Sequence, residues 1–213
     1  MQAKNPARFL TYEQAFIQLV GACHDGTDTG LRDELVIRLG LSGMRCNEIA
    51  TIPVSAIDTL PELHWIGKGN RPRRLSSGPA FSTALIRWME LRRKQCPPSR
   101  DDALLLPNVS ATCQRGRTPR LDWHSTRTLA KSTIWTIITT RASQAGLGHV
   151  APHDLRRSCA SILHKSVTTD GAHRFDLLDI QRVLGHADPA TTMRSYLEPM
   201  DSEVCTRAAQ ALD

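Results

Sequence analysis

The sequence predicts a mainly α-helical domain with a small antiparallel β-sheet, an α+β arrangement. Two observations predict it. Apolar residues recur at helical spacing in several long segments. Between the second and third of these lies a stretch of different texture, with two short runs of strand-forming residues around the turn Gly67-Lys-Gly-Asn70.

The first helix covers Thr11–Ala22, where Tyr12, Ala15, Phe16, Leu19 and Val20 share one face and Thr11 is placed to cap the start. Leu31–Leu41 is apolar through most of its second half, as a buried helix would be. Leu63–Ile66 and Arg73–Leu75 are the two strands. Pro79–Gln95 turns Phe81, Leu85, Trp88 and Met89 inward and leaves Arg87, Arg92, Arg93 and Lys94 mostly outward. Ser99–Arg120, rich in Pro, Arg and Ser, reads as surface loop around one short strand, Ala103–Leu106. Ser132–Ala145 carries Ile134, Ile137, Ile138 and Ala142 and stops at Gly146. Pro152 suits the first turn of the next helix, and Asp176–Leu184 forms another that ends at Gly185. Asp188-Pro189 opens a short helix that ends near Tyr196. Val204, Ala208 and Leu212 recur at helical spacing in the tail. Residues 1–8 thus read as an extension, 9–199 as one domain and 200–213 as a C-terminal helix or tail.

A chain of 213 residues fits one sizeable domain or two small ones, and 40% hydrophobic with 23% charged residues is ordinary for a soluble globular protein. No apolar run approaches the length that spans a bilayer, and the start Met1-Gln-Ala-Lys-Asn-Pro6 lacks the apolar core of a signal peptide. These point to the cytoplasm and to no membrane role. Six cysteines include no C-x-x-C pair, so neither a zinc site nor a redox motif is indicated, and free thiols are expected. No carboxylates cluster at metal-ligand spacing and no G-x-x-x-x-G-K-[ST] loop is present. No metal and no cofactor is therefore expected. The net charge is +6, and 22 of the 27 basic residues are arginine. Guanidinium forks match phosphate oxygens, although codon composition can also enrich arginine.

Several positions could carry chemistry. Gly43-Met-Arg45-Cys-Asn-Glu48 is a turn that starts a helix and puts Arg45 near its N-terminus, where amides and dipole favour an anion. Lys68 lies between two glycines at the hairpin tip, where an ammonium could reach into a DNA groove and protonate a leaving group. His153 and Arg156, three apart on the helix that Pro152 opens, share a face and could grasp a phosphate. His186 follows the helix stop at Gly185, in position to donate to a phosphate oxygen. Tyr196 ends a separately capped helix and could move toward a phosphate. Taken singly, most have a plainer reading: a surface Arg45 paired to Glu48, a solvated turn lysine, an exposed basic helix, a packed tyrosine.

Together, in this order, the set resembles the tyrosine recombinase (phage integrase) catalytic signature. The matching motifs are G-x-R-x-x-E at 43–48, G-K-G at 67–69, H-x-L-R-R at 153–157, and L-G-H at 184–186 followed by T-T and Tyr196. The resemblance runs from about Phe9 to Pro199. Two spacings depart from the pattern. The stretch from His153 to His186 is long, with the excess placed in Ser166–Arg174, and that from His186 to Tyr196 is one residue longer than usual.

The resemblance implies a tyrosine recombinase catalytic-domain fold over residues 9–199, without the N-terminal core-binding domain that most members carry. It implies cleavage and rejoining of double-stranded DNA in integration, excision or transposition of a mobile genetic element. Tyr196 would be the nucleophile forming a 3′-phosphotyrosine. Arg45, Arg156 and His186 would stabilise the phosphate, Lys68 would serve as general acid and His153 would aid proton transfer. Glu48 and Asp154 would cap or orient. Arg73, Arg74 and Arg157 are candidate DNA contacts, and a homotetramer on DNA is the expected assembly. The alternatives are a type IB topoisomerase-like enzyme and a DNA-binding regulator without catalysis.

Overall fold

The computed structural model describes residues 8–67, 69–95, 106–108, 120–123 and 128–185. It is mainly helical with a two-stranded antiparallel sheet, as the sequence predicts.

Helix α1 (Asp28–Leu41) forms the centre. Leu35, Val36, Ile37, Leu39 and Leu41 are all buried, so the helix is enclosed on its sides rather than along one stripe. Helices α3 (Pro79–Gln95), α4 (Lys131–Gln144) and α5 (Pro152–His164) pack against it. At Gly40 an added Cβ would lie 2.8 Å from the Leu155 Cδ1 atom, so glycine is what lets α5 approach α1. The helix begins three residues before the expected start, with Thr27 Oγ1 accepting from the Gly30 amide at 2.9 Å. Its first turns also carry charges inside the protein. Asp33 accepts from Arg32 and from Arg141 of α4, and Arg141 also bonds Asp25 and the Ala22 carbonyl. Glu34 is buried between Arg38 and His24.

The N-terminal helix is real but wound differently. Thr11 and Gln14 cap each other reciprocally, at 3.1 and 3.2 Å. Glu13–Leu19 then runs as a π-helix, which turns more slowly than 3.6 residues per turn. Ala15, Leu19 and Val20 are buried as expected, whereas Tyr12 is exposed and stacks on Phe16. In α3, Phe81, Leu85 and Trp88 face inward as expected, but Arg92, expected outward, is buried.

Strands β1 (Glu62–Gly67) and β2 (Arg71–Ser76) extend beyond the predicted runs and pair with Trp65 opposite Arg73 and Gly67 opposite Arg71. Asn70 and Gly69 take positive φ in the turn. Of the expected strand Ala103–Leu106, only Leu106 is described. It is a buried core residue outside any strand.

Helix α2 (Cys46–Thr51) follows the Gly43 turn, and α6 (Leu177–Leu184) follows α5. Asp176 caps α6 by accepting from the Asp179 amide at 2.7 Å, and Gly185 ends it in the left-handed conformation. A smaller apolar cluster of Cys159, Ala160, Ile180 and Leu184 joins α5 to α6. Between these helices the longer-than-expected segment folds on itself. Arg174 N donates to the Ser166 carbonyl, Thr168 N to the Ala172 carbonyl, and Gly171 makes the turn. The helix at 188–196 and the tail at 200–213 lie outside the described residues.

Candidate active site

The motifs that are far apart in the chain meet at one place, the C-terminal end of α6. Arg45 sits at the N-cap of α2. Its backbone amide donates to Glu48 Oε2 at 2.8 Å, which is the helix-capping geometry the G-x-R-x-x-E spacing predicts. Its guanidinium reaches Glu48 Oε1 at 3.4 Å and the Gly185 carbonyl at 3.3 Å. The plainer reading of this motif, an Arg45–Glu48 pair, is thus present.

Arg156 arrives from α5, whose start is built by local chemistry. Pro152 occupies the first turn, and Asp154 Oδ2 accepts from the Ala151 amide at 2.9 Å. Arg156 is only 2% exposed. One side of its guanidinium donates to the Gly43 carbonyl and the other to the Leu184 carbonyl at 2.6 Å. A buried cation is stabilised here by charge-assisted bonds to carbonyls that the helix end would otherwise leave without partners. Arg45 and Arg156, 111 residues apart in sequence, therefore hold adjacent carbonyls.

His153 lies one turn before Arg156. Part of its ring faces solvent. Loss of water on its inner side, followed by repulsion from the guanidiniums of Arg157 and Arg156, holds its pKa below the ordinary imidazole range. At neutral pH it is therefore an uncharged ring able to donate or accept a proton. Arg157 pairs with Asp154 at 3.2 Å, with its side chain one-quarter exposed.

The two strand arginines separate. Arg74 is exposed on the outer face of β2. Arg73, read in the sequence as a phosphate contact, is turned inward. Its guanidinium stacks over the Trp65 ring at 5.3 Å, pairs with Glu48 at 3.4 Å, and donates to the carbonyls of Leu184 at 3.1 Å and Val183 at 2.7 Å. Burial, offset by Glu48 and reinforced by Arg156 and Arg45, lowers its pKa from the usual guanidinium value. The sequence reading missed this role. The available signal was the Trp65–Arg73 cross-strand pairing, with alternation that puts Arg73 on the inner face. Lys68, His186 and Tyr196 lie outside the described residues; Gly67 and Gly185, which precede Lys68 and His186, both border the cluster.

Burial pushes the thiols of Cys23 and Cys159 up to about 12, and that of Cys46 upward. None is a candidate nucleophile. Among the described residues no three potential ligands are grouped to hold a metal ion, and no helix is long and apolar enough to cross a membrane.

Fold and cluster together define a basic helical domain that gathers guanidiniums from two separate motifs and from strand β2. The chain belongs to the phage integrase family, whose sequence pattern matches residues 8–203. It is 32% identical over 189 residues to the tyrosine recombinase XerC of Mycobacterium leprae, covering 86% of this chain and 56% of the relative. It is 30% identical over 178 residues to XerD of Xanthomonas campestris pv. campestris, covering 82% and 50%. The chain spans about half the length of the curated relatives it matches. Among solved structures, XerA recombinase superposes with a TM-score of 0.68 at 24% identity, covering 99% of this chain and 67% of that one. XerH site-specific recombinase bound to difH substrate superposes at 0.65 and 22% identity, covering 94% and 52%. These two share the fold.

Proposed function

We propose that this chain is the catalytic domain of a site-specific tyrosine recombinase that cuts and rejoins double-stranded DNA. The observation that carries the reading is the convergence of Arg45 and Arg156 on adjacent carbonyls of the α6 terminus, in a member of the phage integrase family. The chain residue that follows this terminus is the motif histidine, His186.

In this reading the Tyr196 oxygen attacks the scissile phosphorus and the bond to the 5′ oxygen breaks. The phosphate remains bonded to Tyr196 as a 3′-phosphotyrosine, which retains the bond energy for rejoining. Arg45 and Arg156 take the non-bridging oxygens as charge grows on them, and His186 donates to the same group. Lys68 gives a proton to the departing 5′ oxygen. His153, uncharged at neutral pH, aids proton transfer or orients the phosphate. Glu48 and Asp154 hold these groups in place. Arg74 and Arg157 contact the DNA backbone, which fixes position rather than sequence. The domain acts in the cytoplasm and assembles on DNA as a homotetramer.

The test is an SDS-stable covalent adduct assay on nicked duplexes that cover the DNA flanking the gene, with Tyr196→Phe alongside. An adduct with the wild type alone supports the reading. DNA binding without any adduct, from this chain or from a version extended to the length of its relatives, would refute it and leave a binding protein.

A further inference from the structure

One side chain touches more of this site than any catalytic motif predicts. Arg73 packs between two glycines. A Cβ added to Gly67 would lie 2.9 Å from Arg73 Cδ and 3.0 Å from Glu48 Oε1. A Cβ added to Gly185 would lie 2.6 Å from Arg73 Nη1 and 2.7 Å from its Cζ. Real Cβ atoms do not approach so closely, so a Cβ at either position would displace the Arg73 side chain from this place. Gly67 precedes Lys68 in the chain and Gly185 precedes His186. The same guanidinium donates to the carbonyls of Val183 and Leu184, pairs with buried Glu48 and lies over Trp65. Glu48 in turn accepts from the amide and side chain of Arg45. A planar fork with five donors spans two carbonyls and a carboxylate while its flat face lies over Trp65, whereas a compact ammonium offers three donors from a single nitrogen and no flat face.

We propose that Arg73 is a positioning residue of the strand-cleavage site. Its one guanidinium fixes the backbone at Gly67 and at Gly185, and so sets the two chain segments that deliver Lys68 and His186 against the segment that carries Arg45. Gly67 of the G-K-G motif and Gly185 of the L-G-H motif are then explained by close approach of Arg73, and not by turn geometry alone. Gly67 shows this most directly, because its φ lies outside the left-handed region and any residue could adopt it. The inference rests on the recombinase reading above.

The experiment measures the rate of covalent adduct formation at saturating DNA for the wild type, Arg73→Gln, Arg73→Lys and Lys68→Ala. Each is assayed on a nicked duplex with the natural scissile phosphate and on one with sulfur replacing the 5′-bridging oxygen. A thiolate departs without needing a proton, so the second substrate is insensitive to the general acid. Arg73→Gln is expected to slow the natural substrate about 100-fold, the usual cost of misplacing a reacting group by about 1 Å. Its deficit should shrink on the sulfur substrate, as that of Lys68→Ala does. Arg73→Lys should recover only part of the rate. Gly67→Ala, which retains Arg73 but displaces it, should reproduce the Arg73→Gln pattern and serves as the second variant if Arg73→Gln does not fold. An unchanged rate, or an equal deficit on both substrates, would overturn the proposal, as would loss of the fold in both variants, which would make Arg73 a structural tie. Failure of the wild type to form any adduct would instead overturn the recombinase reading on which the proposal stands.

Discussion

Arg141→Met probes the buried charges on which the central helix rests. The Arg141 side chain is 7% exposed and links three elements. Its Nε donates to Asp33 Oδ2 at 2.9 Å, and its Nη1 donates to the Ala22 carbonyl at 2.9 Å and to Asp25 Oδ2 at 2.7 Å. Methionine fills most of the volume but none of these bonds. Asp33 keeps Arg32 on its other oxygen at 2.6 Å, so the carboxylate is not left wholly unpaired. What is lost is one buried charged acceptor, about 2–3 kcal/mol, and one carbonyl, about 1 kcal/mol. Asp25 is more than one-third exposed and returns to water, contributing close to nothing. The expected loss is about 3 kcal/mol, which for a chain of this length lowers Tm by roughly 6–12 °C. Urea unfolding followed by circular dichroism reads it directly. Arg141→Lys, which can keep one carboxylate but not both, should fall between. A loss below about 1 kcal/mol would mean that the network gives no net stability over an apolar side chain, and the reasoning would fail.

Two further outcomes follow from the site and the core. Because the folded-state pKa of His153 lies below that of the unfolded chain, the unfolded state takes up a proton first as pH falls through the ordinary imidazole range. The stability His153 lends is full above that range and is lost as the pH drops through it, so urea midpoints of the wild type should fall more between pH 7.5 and pH 5.5, as about one unit either side of the ordinary imidazole pKa, than those of His153→Gln. Parallel midpoints would refute this. Cys23 and Cys159, buried and with thiols raised to about 12, should react with a thiol reagent at pH 8 only on unfolding, at rates far below that of a free thiol with its ordinary pKa near 8.5. Mass spectrometry of the labelled native protein checks it, and native-state labelling of either would contradict the burial.

The helices were legible because their signals are local. Gly146 and Gly185 stop α4 and α6, Pro152 starts α5, and apolar periodicity marks α3 and α4. The hairpin was legible for the same reason. What could not be read depended on distant partners. Tyr12 is apolar in pattern yet exposed, because the π-helical winding shifts the face that the 3.6-residue period assigns. Arg32, Asp33 and Glu34, in the polar opening of the helix predicted over Leu31–Leu41, are buried because Arg141 of α4 pairs with Asp33 and Arg38 and His24 flank Glu34. At the site, Arg45, His153 and Arg156 lie at the helix starts that the sequence predicts, Arg45 at the N-cap of α2 and the other two in the opening turns of α5. For Arg73, read as a phosphate contact, the pairing with Trp65 hints at an inward face, but its partners, the carbonyls of Val183 and Leu184, are too distant in sequence to be read.

The segment between α5 and α6 has a practical use. Its two ends are tied by the bond from Arg174 to Ser166, and its tip at Asp170 and Gly171 is exposed. A chain excursion that closes on itself enters and leaves at nearly the same point, so residues added at the tip cost little loop entropy and leave the spacing of the flanking helices intact. Asp170–Gly171 is therefore the place to graft a fluorophore or an affinity peptide. A reporter there would move with the α5–α6 unit without occupying the guanidinium cluster at its end.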